Sequence, residues 1–79
     1  MKARIVVTLK TGVLDPQGKA IESALTSFGI RDVDSVRQGK VFDVEVDATD
    51  AAQAETTLKT ACEKLLANTV IENYAIEIG

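Results

Sequence analysis

From Lys2 to Lys10 the chain alternates, with Ala3, Ile5, Val7 and Leu9 on one face and Lys2, Arg4, Val6, Thr8 and Lys10 on the other, so it predicts a half-buried strand. The period changes after Asp15-Pro16. Ala20, Ile21, Ala24, Leu25 and Phe28 then recur at helical spacing, and Gly29 stands where a left-handed C-cap is wanted. Asp32 to Gln38 reads as a weaker strand, because Val33 and Val36 differ in parity. Gly39-Lys40 makes a tight connection to a clear amphipathic strand, where Phe42, Val44 and Val46 alternate with Val41, Asp43, Glu45 and Asp47. Asp50 followed by Gln53 is a variant capping box, and Ala51, Ala54, Leu58, Ala61, Cys62, Leu65 and Leu66 form the apolar stripe of a second helix. Asn68 is a candidate left-handed stop, and Tyr74, Ile76 and Ile78 mark a last strand.

The order is βαββαβ, two β-α-β units joined by a hairpin. Right-handed crossovers place both helices on one face of an antiparallel sheet, an α+β ferredoxin-like sandwich formed by residues 1–79 as a single domain. The other face carries Arg4, Val6, Thr8, Val41, Asp43, Glu45, Ala75 and Glu77, a mixed surface with enough apolar content to pack on something. Seventy-nine residues allow only a thin core, which oligomerisation would thicken.

The most deliberate local signal is Val13-Leu14-Asp15-Pro16-Gln17-Gly18-Lys19-Ala20-Ile21. Asp15 can cap the first turn, and Pro16 suits the first helical position, where no N–H is needed. Gly18 costs roughly 0.5–1 kcal/mol against alanine inside that turn unless a close neighbour needs its bare backbone. On pattern alone, a well-capped helix with a tolerated glycine explains the stretch more simply.

Charge and composition narrow the function. Nine basic and twelve acidic residues leave a net charge of −3, which removes the attraction that drives nucleic-acid binding. No apolar run approaches the ~20 residues that cross a bilayer, and the N-terminus enters a strand pattern at once, so a cytoplasmic protein is expected. The lone Cys62 forms no internal disulfide and falls on the helical stripe, where it reads as core packing. There is no histidine for proton transfer or metal ligation. Asp43, Glu45 and Asp47 share a strand face but read as solvated charges, and no phosphate-cradling glycine motif occurs. No catalytic, cofactor-binding or metal-binding residue is expected.

Leu9-Lys10, the Val13 to Ile21 stretch, Val36-Arg37-Gln38-Gly39-Lys40, Cys62-Glu63-Lys64-Leu65-Leu66-Ala67-Asn68 and Val70-Ile71-Glu72-Asn73-Tyr74 together resemble the PurS family, in order and over nearly the whole chain. This family is the small subunit of phosphoribosylformylglycinamidine synthase. Thr69 departs from it, standing where the family often has proline. The resemblance implies a non-catalytic subunit of an ATP- and glutamine-dependent carbon-nitrogen ligase of purine biosynthesis. It would bridge a glutaminase subunit (PurQ) and a synthetase subunit (PurL), assist ammonia transfer, and self-associate to a dimer or tetramer. The complex is expected to use ATP and magnesium, with neither bound by this chain. Leu14, Asp15, Pro16, Gln17, Gly18 and Lys19, with Arg37, Gly39 and Lys40 of the hairpin, are the candidate partner contacts; the competing reading is a good cap and a good turn. A small-molecule-sensing regulatory domain of the amino-acid-binding (ACT-like) type shares the βαββαβ order and is the alternative. An acylphosphatase-like enzyme would need an arginine and an asparagine converging on phosphate beside Leu9 to Val13, where neither is evident.

Overall fold

A computed structural model describes all 79 residues. Its elements are β1 (Lys2–Leu9), α1 (Pro16–Ser27), β2 (Gly39–Glu45), α2 (Ala51–Ala61), a π-helical turn (Cys62–Leu66) and β3 (Glu72–Ile78). The antiparallel sheet has the order β2-β1-β3, with Ile5 facing Phe42 on one side and Ile76 on the other. Burial explains why β1 is central. Ala3, Ile5 and Val7, its inward residues, are buried together with Val46, Ala54, Leu58, Cys62 and Ala67, and these eight side chains are the core.

The fold is α+β and ferredoxin-like, with three departures from the expected sandwich. First, Asp32 to Gln38 forms no strand: none of its backbone groups bonds to another backbone group. Its amides are diverted to side chains, the Val36 N–H donating to Glu22 Oε2 at 2.9 Å and the Gln38 N–H to Asp15 Oδ2 at 2.6 Å. Gly39 and Lys40 therefore open β2 instead of turning a hairpin. Second, α1 does not lie beside α2 on the sheet. It runs outward with the 31–38 segment folded along it, an arm that draws the molecule out to 50 × 25 × 14 Å. The radius of gyration is 16.0 Å, whereas a compact chain of this length has about 12 Å.

Third, α2 does not keep its α-helical phase. The Ala67 N–H donates to Cys62 O, a five-residue step that widens the last turn. Widening rotates Leu65, expected on the apolar stripe, out to 82% exposure, while Leu66 turns partly inward. Asn68 is not left-handed, since no residue other than glycine has a positive φ. Its side chain accepts from the Val70 N–H instead, and its carbonyl accepts from the Ile71 and Glu72 N–H groups.

Both helix starts form as the sequence specifies. Asp15 Oδ1 accepts from the Gly18 N–H at 2.9 Å, and Asp50 Oδ1 accepts from the Gln53 N–H at 2.7 Å. Gln53 returns its carbonyl oxygen to the Thr49 N–H and hydroxyl, one residue before the cap. At the end of α1, Gly29 (φ 83°) donates to Thr26 O and Ile30 to Leu25 O, the paired bonds of a Schellman stop.

Candidate functional site

The two segments singled out in the sequence, Leu14 to Lys19 and Arg37 to Lys40, meet at the base of the arm. Asp15 is 95% buried between them, and its carboxylate takes the Gly18 N–H with one oxygen and the Gln38 N–H with the other. Arg37 closes the opposite side: its guanidinium donates to Val13 O at 2.9 Å and Lys10 O at 3.1 Å, with Leu9 O at 3.5 Å. Three carbonyls where β1 ends thus share one planar donor fork, Lys10 O accepting from the Val13 N–H as well. One turn further along α1, Glu22 accepts from the Val36 N–H and pairs with Lys19 at 3.4 Å.

Gly18 has the close neighbour its position demands. A Cβ there would sit 2.3 Å from Val36 O and 2.8 Å from Asp15 Oδ2, so the glycine lets the 31–38 segment lie against the helix backbone. Asp15 and Gly18 are interior parts of this latch, whereas Leu14, Pro16, Gln17 and Lys19 remain on its surface. Gly39 pairs with Thr8 at the start of β2, and the exposed Lys40 forms an ion pair at 3.6 Å with the largely buried carboxylate of Glu72. Glu22 was missed in the sequence. Its signal is the spacing of Asp15, Gly18 and Glu22, which puts two carboxylates and a bare backbone on one helical stripe.

Both carboxylates are held below their ordinary range. For Asp15 the causes are the Gly18 and then the Gln38 N–H, against opposing burial, with Arg37 adding to the lowering. For Glu22 the Val36 N–H leads, with Lys19 assisting. A depressed folded pKa favours the native state above the unfolded value, about 3.9 for Asp and 4.3 for Glu. The latch therefore stabilises the protein fully at neutral pH and loses that contribution as pH falls through the lower folded values. Acid titration followed by amide exchange should show the Val36 and Gln38 amides losing protection before the β1 amides do. Loss of all of them together would contradict a separately titrating latch.

On β3, Tyr74 donates its hydroxyl to Glu63 Oε2 of the π-helical turn at 2.6 Å. That hydrogen bond, followed by desolvation and the Glu63 charge, pushes the phenol up to about 12. A raised folded value means a contribution present below the unfolded pKa of about 10 and lost as pH rises toward 12. With one tyrosine and no tryptophan, ultraviolet titration reads this group cleanly. The expected midpoint lies well above that of Glu63→Gln; equal midpoints would refute the pairing. Burial pushes the Cys62 thiol up as well, with Glu63 adding to the effect, so it is held as an unreactive thiol. No group of three or more His, Cys, Asp or Glu side chains is placed to hold a metal ion, and no helix is long and apolar enough to cross a membrane.

Fold and latch together define a class: a small ferredoxin-like α+β protein whose sheet carries an outward arm. The family model for PurS, phosphoribosylformylglycinamidine (FGAM) synthase, matches residues 2–79. The chain is 51% identical over 75 residues to the PurS subunit of that synthase from Synechocystis sp., covering 95% of this chain and 75% of the relative. It is 44% identical over 77 residues to the Bacillus subtilis subunit, covering 98% and 90%. Among solved structures, B. subtilis PurS superposes with a TM-score of 0.87 at 45% identity, over 96% of this chain and 94% of that one. A chain from the PurLQS structure of Thermotoga maritima gives 0.89 at 37% identity, over 96% and 93%. The chain belongs to the PurS family, the small subunit of phosphoribosylformylglycinamidine synthase.

Proposed function

We propose that residues 1–79 act as one unit that joins a glutaminase subunit to a synthetase subunit in the ATP- and glutamine-dependent conversion of formylglycinamide ribonucleotide to formylglycinamidine ribonucleotide. The observation that carries this reading is the match over residues 2–79 to PurS, with a solved relative that is part of a PurLQS structure. The ligase uses ATP. In this reading the nucleotide and magnesium sit on the synthetase, since this chain has neither histidine nor a phosphate-cradling motif, and the complex works in the cytoplasm. The subunit self-associates and helps ammonia pass between its partners.

Leu14, Pro16, Gln17 and Lys19, with Arg37, Gly39 and Lys40 beside them, form the contact surface, and Asp15 and Gly18 hold it in shape. Leu14 is 68% exposed on a loop whose backbone the latch fixes, an arrangement suited to presenting an apolar side chain to a partner. Leu14→Ser should weaken complex assembly with little change in melting temperature; unchanged assembly would remove this surface from the proposal.

The test of the whole reading is reconstitution with the two partner subunits. Leaving this chain out should sharply reduce glutamine-dependent synthesis while each subunit's own chemistry partly survives. Undiminished glutamine-dependent turnover would reject it. The amino-acid-sensing alternative predicts instead a rise in melting temperature with free amino acids, because a ligand of the folded state adds RT ln(1 + [L]/Kd). None is expected.

A further inference from the structure

The charges at the arm base are layered. Three carboxylates lie there, and each turns inward with one oxygen on a backbone N–H: Asp15 on Gly18, Glu22 on Val36 and Glu72 on Asn68. The second oxygen of Glu22 and of Glu72 then holds a lysine above it, Lys19 at 3.4 Å and Lys40 at 3.6 Å. Exposure follows the same order. Lys19 and Lys40 keep 67% and 59% of their side chains in solvent, against 20% and 13% for the carboxylates beneath. Arg37, exposed and anchored on the carbonyls of Lys10 and Val13, completes the outer layer with Lys10, which pairs with no carboxylate.

This layer runs against the rest of the chain. The protein carries a net charge of −3, yet four of its nine basic residues stand at this one end. β2 leads away from it toward the opposite sign: after Lys40 come Asp43, Glu45, Asp47 and Asp50, all exposed. Leu14 stands among the cations with 68% of its surface in solvent. A small anion would need donors converging on one point, whereas here each of Lys19, Arg37 and Lys40 is held by a different anchor around an apolar side chain. What fits is a surface, with carboxylates spread like the cations and an apolar group between them.

We propose that the arm base docks an acidic segment of a partner subunit of the ligase, its carboxylates pairing with Lys10, Lys19, Arg37 and Lys40 and an apolar side chain covering Leu14. This rests on the bridging role proposed above and specifies the chemistry of its contact. Glu22 and Glu72 hold their lysines in place before the partner arrives, so less side-chain freedom is lost on binding. The acidic far end of β2 repels the same segment, and the field therefore sets its direction of approach as well as its strength.

The test is reconstitution of the full chain with the two partner subunits at low and high ionic strength. Assembly of the unmodified chain should weaken steeply with salt, because exposed charges are screened beyond about 8 Å at physiological ionic strength. Lys10→Glu should weaken assembly at low salt by about tenfold, Lys19→Gln by less, and both should flatten the salt dependence. Lys59→Glu, the same change at an exposed position of α2, is the control and should assemble normally. Circular dichroism reports whether the variants fold; if they do not, the salt dependence of the unmodified chain decides. Light scattering on Lys10→Glu alone should give the same mass as the unmodified chain, and a changed mass would place this surface between copies of the chain and overturn the proposal. Assembly that ignores salt overturns it too, as does equal weakening by Lys59→Glu. If leaving the chain out abolishes glutamine-dependent synthesis while Lys10→Glu assembles and turns over normally, acidic recognition fails and the proposed function stands. If leaving it out changes nothing, the proposed function itself has failed.

Discussion

Ile5→Ala is expected to abolish cooperative folding of this chain. Ile5 has no exposed surface, lies at the middle of the central strand and faces Phe42 and Ile76 across its two ladders. Truncating a buried isoleucine to alanine costs about 2–5 kcal/mol, from lost transfer free energy and the cavity left behind. A protein of this length has roughly 4–12 kcal/mol in total, at 0.05–0.15 kcal/mol per residue. The core cannot redistribute the loss. Three of its eight buried side chains are alanines, and only Ile5, Val7 and Cys62 are large and fully enclosed. Thermal unfolding followed by circular dichroism should show no sharp transition, or one displaced downward by more than 10 °C, taking about 4–8 °C per kcal/mol for a domain of this size. Ile71→Ala, at a position 39% exposed, is the control and should melt close to the unmodified chain. A sharp, undisplaced transition for Ile5→Ala would mean that the β1 face is not the core.

Gly18→Val is the second large effect, and it separates the arm from the sheet. Intrinsic preference points the other way: glycine is among the poorest helix formers, and almost any replacement should help α1 by a few tenths of a kcal/mol. Space decides against it. A Cβ at 2.3 Å from Val36 O and 2.8 Å from Asp15 Oδ2 cannot be accommodated without moving backbone, and forcing atoms into a filled site costs about 1–3 kcal/mol. Displacing the 31–38 segment also takes the Gln38 and Val36 amides from their carboxylates. The expected result is a lower melting temperature with the sheet intact, and loss of assembly with the partner subunits beyond what the stability change explains. Ser23→Ala, exposed on the same helix, should be nearly silent. Normal assembly and turnover with Gly18→Val would reject the arm base as a contact surface.

The latch shows how far the sequence could be read. Asp15 and Pro16 announced a helix start, because capping is a local property of a few consecutive residues, while Gly18 raised a close neighbour only as the less simple of two readings. The identity of that neighbour was not legible. Val36 O reaches Gly18 only because the chain reverses at Gly29 and runs back along α1, a contact eighteen residues distant in sequence, 36 − 18. Arg37 could be named as a candidate from its place in a polar turn, but its work on the carbonyls of Leu9, Lys10 and Val13 follows from where β1 ends in space. Leu65 misled for a comparable reason: a period of 3.6 holds until Cys62, and the π-helical turn then shifts the phase.

By itself the sequence determined the strands at both ends, the starts of both helices with their N-caps, the turn at Gly29 and the kinship with the PurS family. All of these rest on period, on residue types at fixed short offsets, or on matched segments in order. Only the tertiary structure decided that Asp32 to Gln38 leaves the sheet and that α1 points outward. Both outcomes turn on competition for the same backbone amides, and two carboxylates on α1 hold those of Val36 and Gln38 where a strand edge would have used them. Such a choice between equally satisfied hydrogen bonds depends on which groups meet in space, and no periodicity along the chain records it.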